Sequence, residues 1–102
     1  MKNIKEYIED ILALSKVGVL HWLGTSSISC FRTFKDNEGI ILCKYYPKGS
    51  DNYVCSLSFL DSDGLLIDNR QYIFEQHTEE YKMLSDLYDN ISKILKEKYE
   101  MA

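Results

Sequence analysis

Apolar residues recur with the period of an α-helix near both ends of the chain. In residues 2–16 they fall within about 160° of a helical wheel, and Gly18 follows as a residue that accepts the left-handed backbone at a helix end. A longer helix is predicted after Thr78, which is suited to cap it, with Glu79 and Glu80 in its first turn.

Between the helices the apolar period changes to two, which is typical of strands. The predicted strands are Ile28–Phe34, Gly39–Tyr46, Tyr53–Leu60 and Leu65–Ile67, with short turns between them. Residues 68–70 are predicted to end or bulge the last strand, and residues 19–27 fit either a strand or a loop. Short connections favour antiparallel pairing, because parallel strands need long crossovers.

These elements predict an α+β fold within one domain, residues 1–102. It comprises an N-terminal helix, an antiparallel β-meander of three to four strands and a long C-terminal helix, with both helices on one sheet face. The predicted core consists of Ile8, Ile11, Leu12, Leu57, Phe59, Leu84, Tyr88, Ile91 and Leu95.

Composition and charge narrow the classes of partner. The chain has 102 residues and a net charge of −4, and none of its segments is a basic patch. We therefore expect no nucleic-acid binding. No apolar run approaches the length of a membrane span, so no membrane association is expected either. The N-terminal segment contains the acidic residues Glu6, Glu9 and Asp10, which the apolar centre of a signal peptide does not tolerate. This pattern predicts a cytoplasmic protein.

The element order resembles that of double-stranded-RNA-binding domains, which place a lysine cluster at the start of their second helix. This chain has Thr78-Glu79-Glu80-Tyr81 at that position, and these acidic side chains would repel phosphates. The resemblance therefore extends to the order of elements and not to RNA binding.

The three cysteines, Cys30, Cys43 and Cys55, fall one on each of three predicted strands. Their odd number and wide spacing favour buried free thiols over a disulfide framework or a structural zinc site. We expect all three to be reduced.

Candidate catalytic and metal-binding patterns are weak. Asp61-Ser62-Asp63-Gly64 lacks the spacing of a calcium-binding loop and instead predicts a hairpin turn. His21 and His77 lack metal-ligand spacing, and the sequence contains neither a G-x-S-x-G elbow nor a P-loop. We therefore expect no enzymatic activity, no metal and no cofactor.

The abundance of tyrosine, eight residues in all, is the remaining unusual feature. Tyrosine is enriched at protein-binding hot spots, and some tyrosines must lie on the sheet face away from the helices. The residues predicted there, as a surface for a protein partner or a second copy of the chain, are Lys44, Tyr46, Val54, Ser56, Ser58 and Leu60.

The predicted function is that of a non-enzymatic protein-binding module. Compact acidic α+β domains of this size are common among small inhibitors and adaptors, including those of phages and mobile elements. The alternative is a small-ligand-binding or sequestering protein with a pocket near His21 and Trp22.

Overall fold

The computed structural model, which describes residues 3–27 and 29–100, is a five-stranded antiparallel sheet with two helices packed on one of its faces. In chain order the elements are α1 (Ile4–Lys16), β1 (Leu23–Gly24), β2 (Cys30–Lys35), β3 (Glu38–Tyr45), β4 (Val54–Leu60), β5 (Leu66–Glu75) and α2 (Glu79–Glu100). The strands lie side by side in this same order. The predicted α+β fold is confirmed, with five strands rather than three to four.

The additional strand is β1, in the segment that the sequence left open between strand and loop. Its two residues pair antiparallel with β2, Leu23 opposite Arg32 and Gly24 opposite Phe31. Ile28, the predicted first residue of the next strand, lies outside the described residues. The observed strand β2 begins at Cys30.

Strand β5 is longer than predicted and contains the predicted bulge. Its pairing with β4 shifts register between Ser58 and Leu60, and Asn69 adopts a positive φ of 66°. Beyond this bulge the chain does not leave the sheet but continues in regular register to Glu75. The bulge prediction is confirmed, and the strand after it was missed.

One end of each helix is delimited by a residue that the sequence indicated, Gly18 after α1 and Thr78 before α2. Gly18, just beyond α1, has a φ of 79°, a value that favours glycine because it has no Cβ. The Thr78 hydroxyl accepts a hydrogen bond of 3.1 Å from the Tyr81 amide and so caps α2. Asn3 caps α1 in the same way by accepting from the Glu6 amide at 2.8 Å.

The hairpin turns follow from side chains that stabilise tight backbone curvature. Asp36 and Asn37, between β2 and β3, both have positive φ, as a two-residue type I′ turn requires. The Asp61 carboxylate accepts hydrogen bonds from the amides of Asp63 and Leu65 at 2.9 and 3.0 Å. The Asp61 segment is therefore a hairpin turn, as predicted.

The core lies between the helices and the sheet face that we call the inner face. Of the predicted core, Ile8, Ile11, Leu57, Phe59, Leu84 and Ile91 are buried, whereas Leu12, Tyr88 and Leu95 pack half-buried at its margin. Phe31, Ile40 and Leu42 add further inner-face side chains from β2 and β3.

The opposite sheet face, which we call the outer face, has neither helix on it. Strand alternation and register place the following residues on it: Leu23, Cys30, Arg32, Phe34, Ile41, Cys43, Tyr45, Val54, Ser56, Ser58, Leu60, Leu66, Gln71, Ile73 and Glu75.

Candidate functional site

Four of the ten large apolar side chains that are exposed in the described residues lie on the outer face. Leu23, Phe34, Leu66 and Ile73 come from three different strands, and their exposed fractions are 49%, 58%, 52% and 64%. An antiparallel sheet usually presents polar residues on its solvated face, so four exposed apolar side chains on that face are unusual. Apolar surface of this kind is typical of a site that binds another protein.

Two residues predicted for this surface lie elsewhere. Lys44 is opposite Cys55 in the ladder, so its side chain points to the helices, where its Nζ lies 3.1 Å from a carboxylate oxygen of Asp89. Tyr46 comes after the last residue of β3, and its ring stacks on Tyr53. The prediction was wrong because the register of β3 differs by one residue from that assumed, which exchanges the two faces.

The other four predicted residues do lie on the outer face, with different accessibility. Val54 and Ser56 are only 7% and 9% exposed, so they offer little surface to a partner. Ser58 and Leu60 are half-buried. The residues that β3 contributes beside them are Ile41, Cys43 and Tyr45.

A disulfide links Cys30 and Cys43 across β2 and β3 on the outer face. The two residues are directly opposite in the ladder, with Cα atoms 4.2 Å apart, close enough for the bond. The prediction that all cysteines are free is therefore wrong for this pair, because sequence spacing does not reveal cross-strand register. Cys55 is free and buried, as predicted.

The alternative pocket residues, His21 and Trp22, do not meet in a cavity. Trp22 is buried in the core, and its indole N–H donates a 3.0 Å hydrogen bond to the Ser15 hydroxyl. His21 is exposed, while its backbone carbonyl accepts a 2.7 Å hydrogen bond from Thr33. Neither residue lines the two surface clefts of the described residues, one beside Tyr46 and Tyr53 and the other beside Ala13 and Phe34.

A tyrosine-lined cleft is found instead where the ends of β3 and β4 approach α2. Its volume is about 550 Å³, and it is lined by Ser29, Lys44, Tyr45, Tyr46, Tyr53, Tyr88 and Asp89. The Tyr46 and Tyr53 rings stack with centroids 3.8 Å apart. Lys44 Nζ lies 5.6 and 5.9 Å from the ring centroids of Tyr53 and Tyr88.

The electrostatics of this cleft centre on Lys44. Burial acts to lower the pKa of Lys44, but the hydrogen bond and the negative charge of Asp89 outweigh it, so the pKa is raised above its ordinary value. Burial raises the pKa of Tyr88. Lys44 therefore remains a cation and Tyr88 a neutral phenol at neutral pH.

None of the four exposed apolar residues on the outer face was predicted from the sequence as part of this surface: Leu23, Phe34, Leu66 and Ile73. Leu23 lies in the segment left unassigned, and Ile73 lies beyond the bulge. Two signals were available in the sequence. Phe34 lies two positions from Arg32, which puts both on the same face of a strand, and three consecutive strand-forming residues, Tyr72, Ile73 and Phe74, follow the bulge.

Within residues 3–27 and 29–100, no cluster of three or more His, Cys, Asp or Glu side chains is arranged to hold a metal ion. No helix in the same ranges has the length and apolarity to span a membrane. Comparison of the chain with protein-family models, curated proteins and solved structures found no match.

Proposed function

We propose that this chain is a non-enzymatic protein-binding module that uses the outer face to dock a partner protein. One observation supports the proposal above all. Four apolar side chains, Leu23, Phe34, Leu66 and Ile73, are about half or more exposed on a sheet face that carries no helix. Burying such side chains contributes about 25 cal/mol per Å² of apolar surface, and this driving force is unused in the isolated chain.

In this proposal the protein acts as a small inhibitor or adaptor, of the kind that phages and mobile elements encode. A sheet face of this kind presents a rigid, preformed surface, so little conformational entropy is lost on docking. An inhibitor would cover a functional surface of its partner, and an adaptor would hold two partners together. Nucleic acid is not part of the proposal, because the start of α2 carries Glu79 and Glu80.

The proposal locates the protein in the cytoplasm. Cytoplasmic dithiols reduce accessible disulfides, so the Cys30–Cys43 bond would there be in exchange with its dithiol form. Rapid alkylation of the protein in intact cells, followed by mass analysis, measures the two forms. A fully oxidised pair would contradict the cytoplasmic location.

A double substitution on the outer face tests the docking proposal. Phe34→Glu with Leu66→Glu introduces two carboxylates at positions that are 58% and 52% exposed. The matched control is Val17→Glu with Ile94→Glu, at apolar positions that are 72% and 60% exposed but lie on the helical layer.

The readout is affinity for proteins first captured from a lysate by the wild-type chain and then purified. We expect the outer-face variant to bind at least about 30-fold more weakly, as for a lost hot spot, while the control binds normally. Both variants should unfold as cooperatively as the wild type. Equal loss in the two variants, or undiminished binding by the outer-face variant, would refute the docking site.

A second candidate function, binding of a small ligand, is favoured by the tyrosine-lined cleft. The exposed Tyr46 ring, already stacked on Tyr53, offers a surface for a planar molecule, and Lys44 with Asp89 offers polar partners. A ligand at about 100 times its Kd stabilises a protein by about 2.7 kcal/mol. A thermal-shift screen of planar compounds, repeated on Tyr46→Ala, tests this function, and hits that persist in the variant would exclude the cleft.

A further inference from the structure

Strand β5 is the long open edge of the sheet. Among residues 3–27 and 29–100 its one neighbouring strand is β4, whereas the other edge strand, β1, has two residues. Alternate backbone N–H and C=O groups of β5 therefore point away from the sheet, where they can pair with another extended strand. We propose that residues 71–75 pair antiparallel with the same residues of a second copy of this chain, about a two-fold axis at Ile73.

The bulge confines this pairing to the second half of β5. Natural edge strands are often protected from association by bulges and charges, and residues 68–70 carry both. The positive φ of Asn69 turns the backbone out of regular extension, and the Arg70 guanidinium is held over the Phe59 ring and paired with Glu38. From Gln71 to Glu75 the register with β4 is regular, so residues 71–75 form an extended strand with which a second strand can pair.

The side chains of this stretch complement a second copy of themselves. With the two-fold axis at Ile73, Ile73 lies opposite its own copy on the outer face, and the Gln71 amide lies opposite the Glu75 carboxylate of the other chain. On the inner face, Tyr72 lies opposite Phe74. Directly opposed apolar, aromatic or hydrogen-bonding pairs stabilise antiparallel ladders.

The two neighbouring registers give poorer side-chain pairs. An axis at Phe74 would oppose Ile73 to Glu75 and Tyr72 to Gln76. An axis at Tyr72 would oppose Gln71 to Ile73 and Arg70 to Phe74, which leaves polar groups against apolar ones. The sequence therefore favours the register centred on Ile73, and the occupant of the edge is a second copy because this pairing matches the strand to itself.

A two-fold axis perpendicular to the sheet keeps both outer faces on the same side. The dimer would have one continuous ten-stranded sheet, with two docking surfaces next to each other. Five residues from each chain make a small interface, well below about 1,200 Å², so we expect weak and reversible association. The pairing shares Ile73 with the outer face, but the inference does not depend on the proposed function, because it uses the free backbone groups of the edge and needs no partner protein.

Site-specific cross-linking tests the register. Under mild oxidation by diamide, two facing thiols give up their hydrogens to the reagent and form a disulfide. We expect Ile73→Cys to form a covalent dimer, because its two copies meet at the axis. Gln71→Cys alone and Glu75→Cys alone should not form one, but a mixture of these two variants should. Ile94→Cys, at a similarly exposed apolar position on α2, is the matched control.

Sedimentation equilibrium at concentrations up to about 1 mM measures the association without a cross-linker. The wild-type chain should approach the dimer mass, and Ile73→Lys should remain monomeric because two like charges would face each other. The control Ile94→Lys should dimerise normally, and circular dichroism checks that each variant is folded.

Three results would overturn the inference. The first is a wild-type chain that remains monomeric at about 1 mM, and the second is an Ile73→Cys variant that cross-links no faster than Ile94→Cys. The third is dimerisation that survives Ile73→Lys but is lost in Phe34→Glu with Leu66→Glu, because the copies would then meet through their outer faces. This last result would leave the docking proposal open while excluding edge pairing.

Discussion

Cys55 shows at the scale of one residue how burial sets chemistry. Its thiol is fully enclosed on the inner face, between the ladder neighbours Lys44 and Phe74. Burial raises its pKa to about 12, and the opposing influence of the Lys44 charge is smaller. The thiolate, which is the nucleophilic form, is therefore scarce at neutral pH.

Thiol labelling of the oxidised native protein should report this enclosure. We expect Cys55 to react slowly, with a rate that rises about tenfold per pH unit below its pKa, and to react fast once urea unfolds the chain. Cys55→Ala should remove the signal. A second, rapidly labelled thiol in the native protein would show instead that Cys30 and Cys43 are not paired.

The same raised pKa links Cys55 to the pH dependence of stability. The unfolded thiol loses its proton near its ordinary pKa of 9.0, whereas the folded thiol keeps its proton until about 12. The folded state binds more protons in this window, so its free energy of unfolding should fall as pH rises from about 9 to about 12. Urea titrations should show a smaller fall over this window in Cys55→Ala.

At the scale of elements, local signals in the sequence decide where α2 begins. The Thr78 hydroxyl accepts a hydrogen bond from the Tyr81 amide, which would otherwise lack a partner in the first turn. Glu79 pairs with Lys5 of α1 at 2.8 Å, so the same turn also contacts the other helix.

Removal of this cap should cost stability without changing the fold. Thr78→Ala should lower the free energy of unfolding by about 1 kcal/mol, whereas Thr78→Ser keeps a hydroxyl acceptor and should lose less than half as much. Urea denaturation followed by circular dichroism measures both. An equal loss in the two variants would mean that the contribution of Thr78 lies in its methyl group rather than in the cap.

At the scale of the whole molecule, the hydrophobic core and the disulfide lie on opposite faces of the sheet. The helices and the inner face form the core, and the Cys30–Cys43 bond lies on the other side of the sheet. This bond joins strands that are already adjacent in a hairpin, so it adds to a fold that the core maintains without it.

Reduction should therefore weaken the molecule without unfolding it. A closed loop of 13 residues corresponds to at most about 3 kcal/mol of stabilisation in the chain-entropy model. We expect an excess of a dithiol reductant to lower the urea midpoint while the circular dichroism spectrum in water is unchanged. The variant Cys30→Ser with Cys43→Ser should be insensitive to the reductant. Loss of the fold on reduction would mean that the core does not maintain the fold without this bond.

The sequence alone predicted the features that depend on neighbours in the chain. One-sided apolar stripes predicted both helices, Thr78 and Gly18 predicted where they are delimited, and Asp61 predicted a turn. Each of these signals acts over a few residues, between groups that meet whatever the rest of the chain does. Six of the nine predicted core residues are buried for the same reason, because the apolar period already indicates which side of an element faces the core.

The tertiary structure decided which side chains share the outer face. Face assignment depends on strand register, and a shift of one residue exchanges the faces, which removed Lys44 from the predicted surface and placed Ile41 and Tyr45 on it. The same cross-strand register brought Cys30 opposite Cys43. Beyond the bulge, pairing with β4 kept Ile73 in the sheet. These relations join residues distant in the chain, so the pattern along the sequence does not contain them.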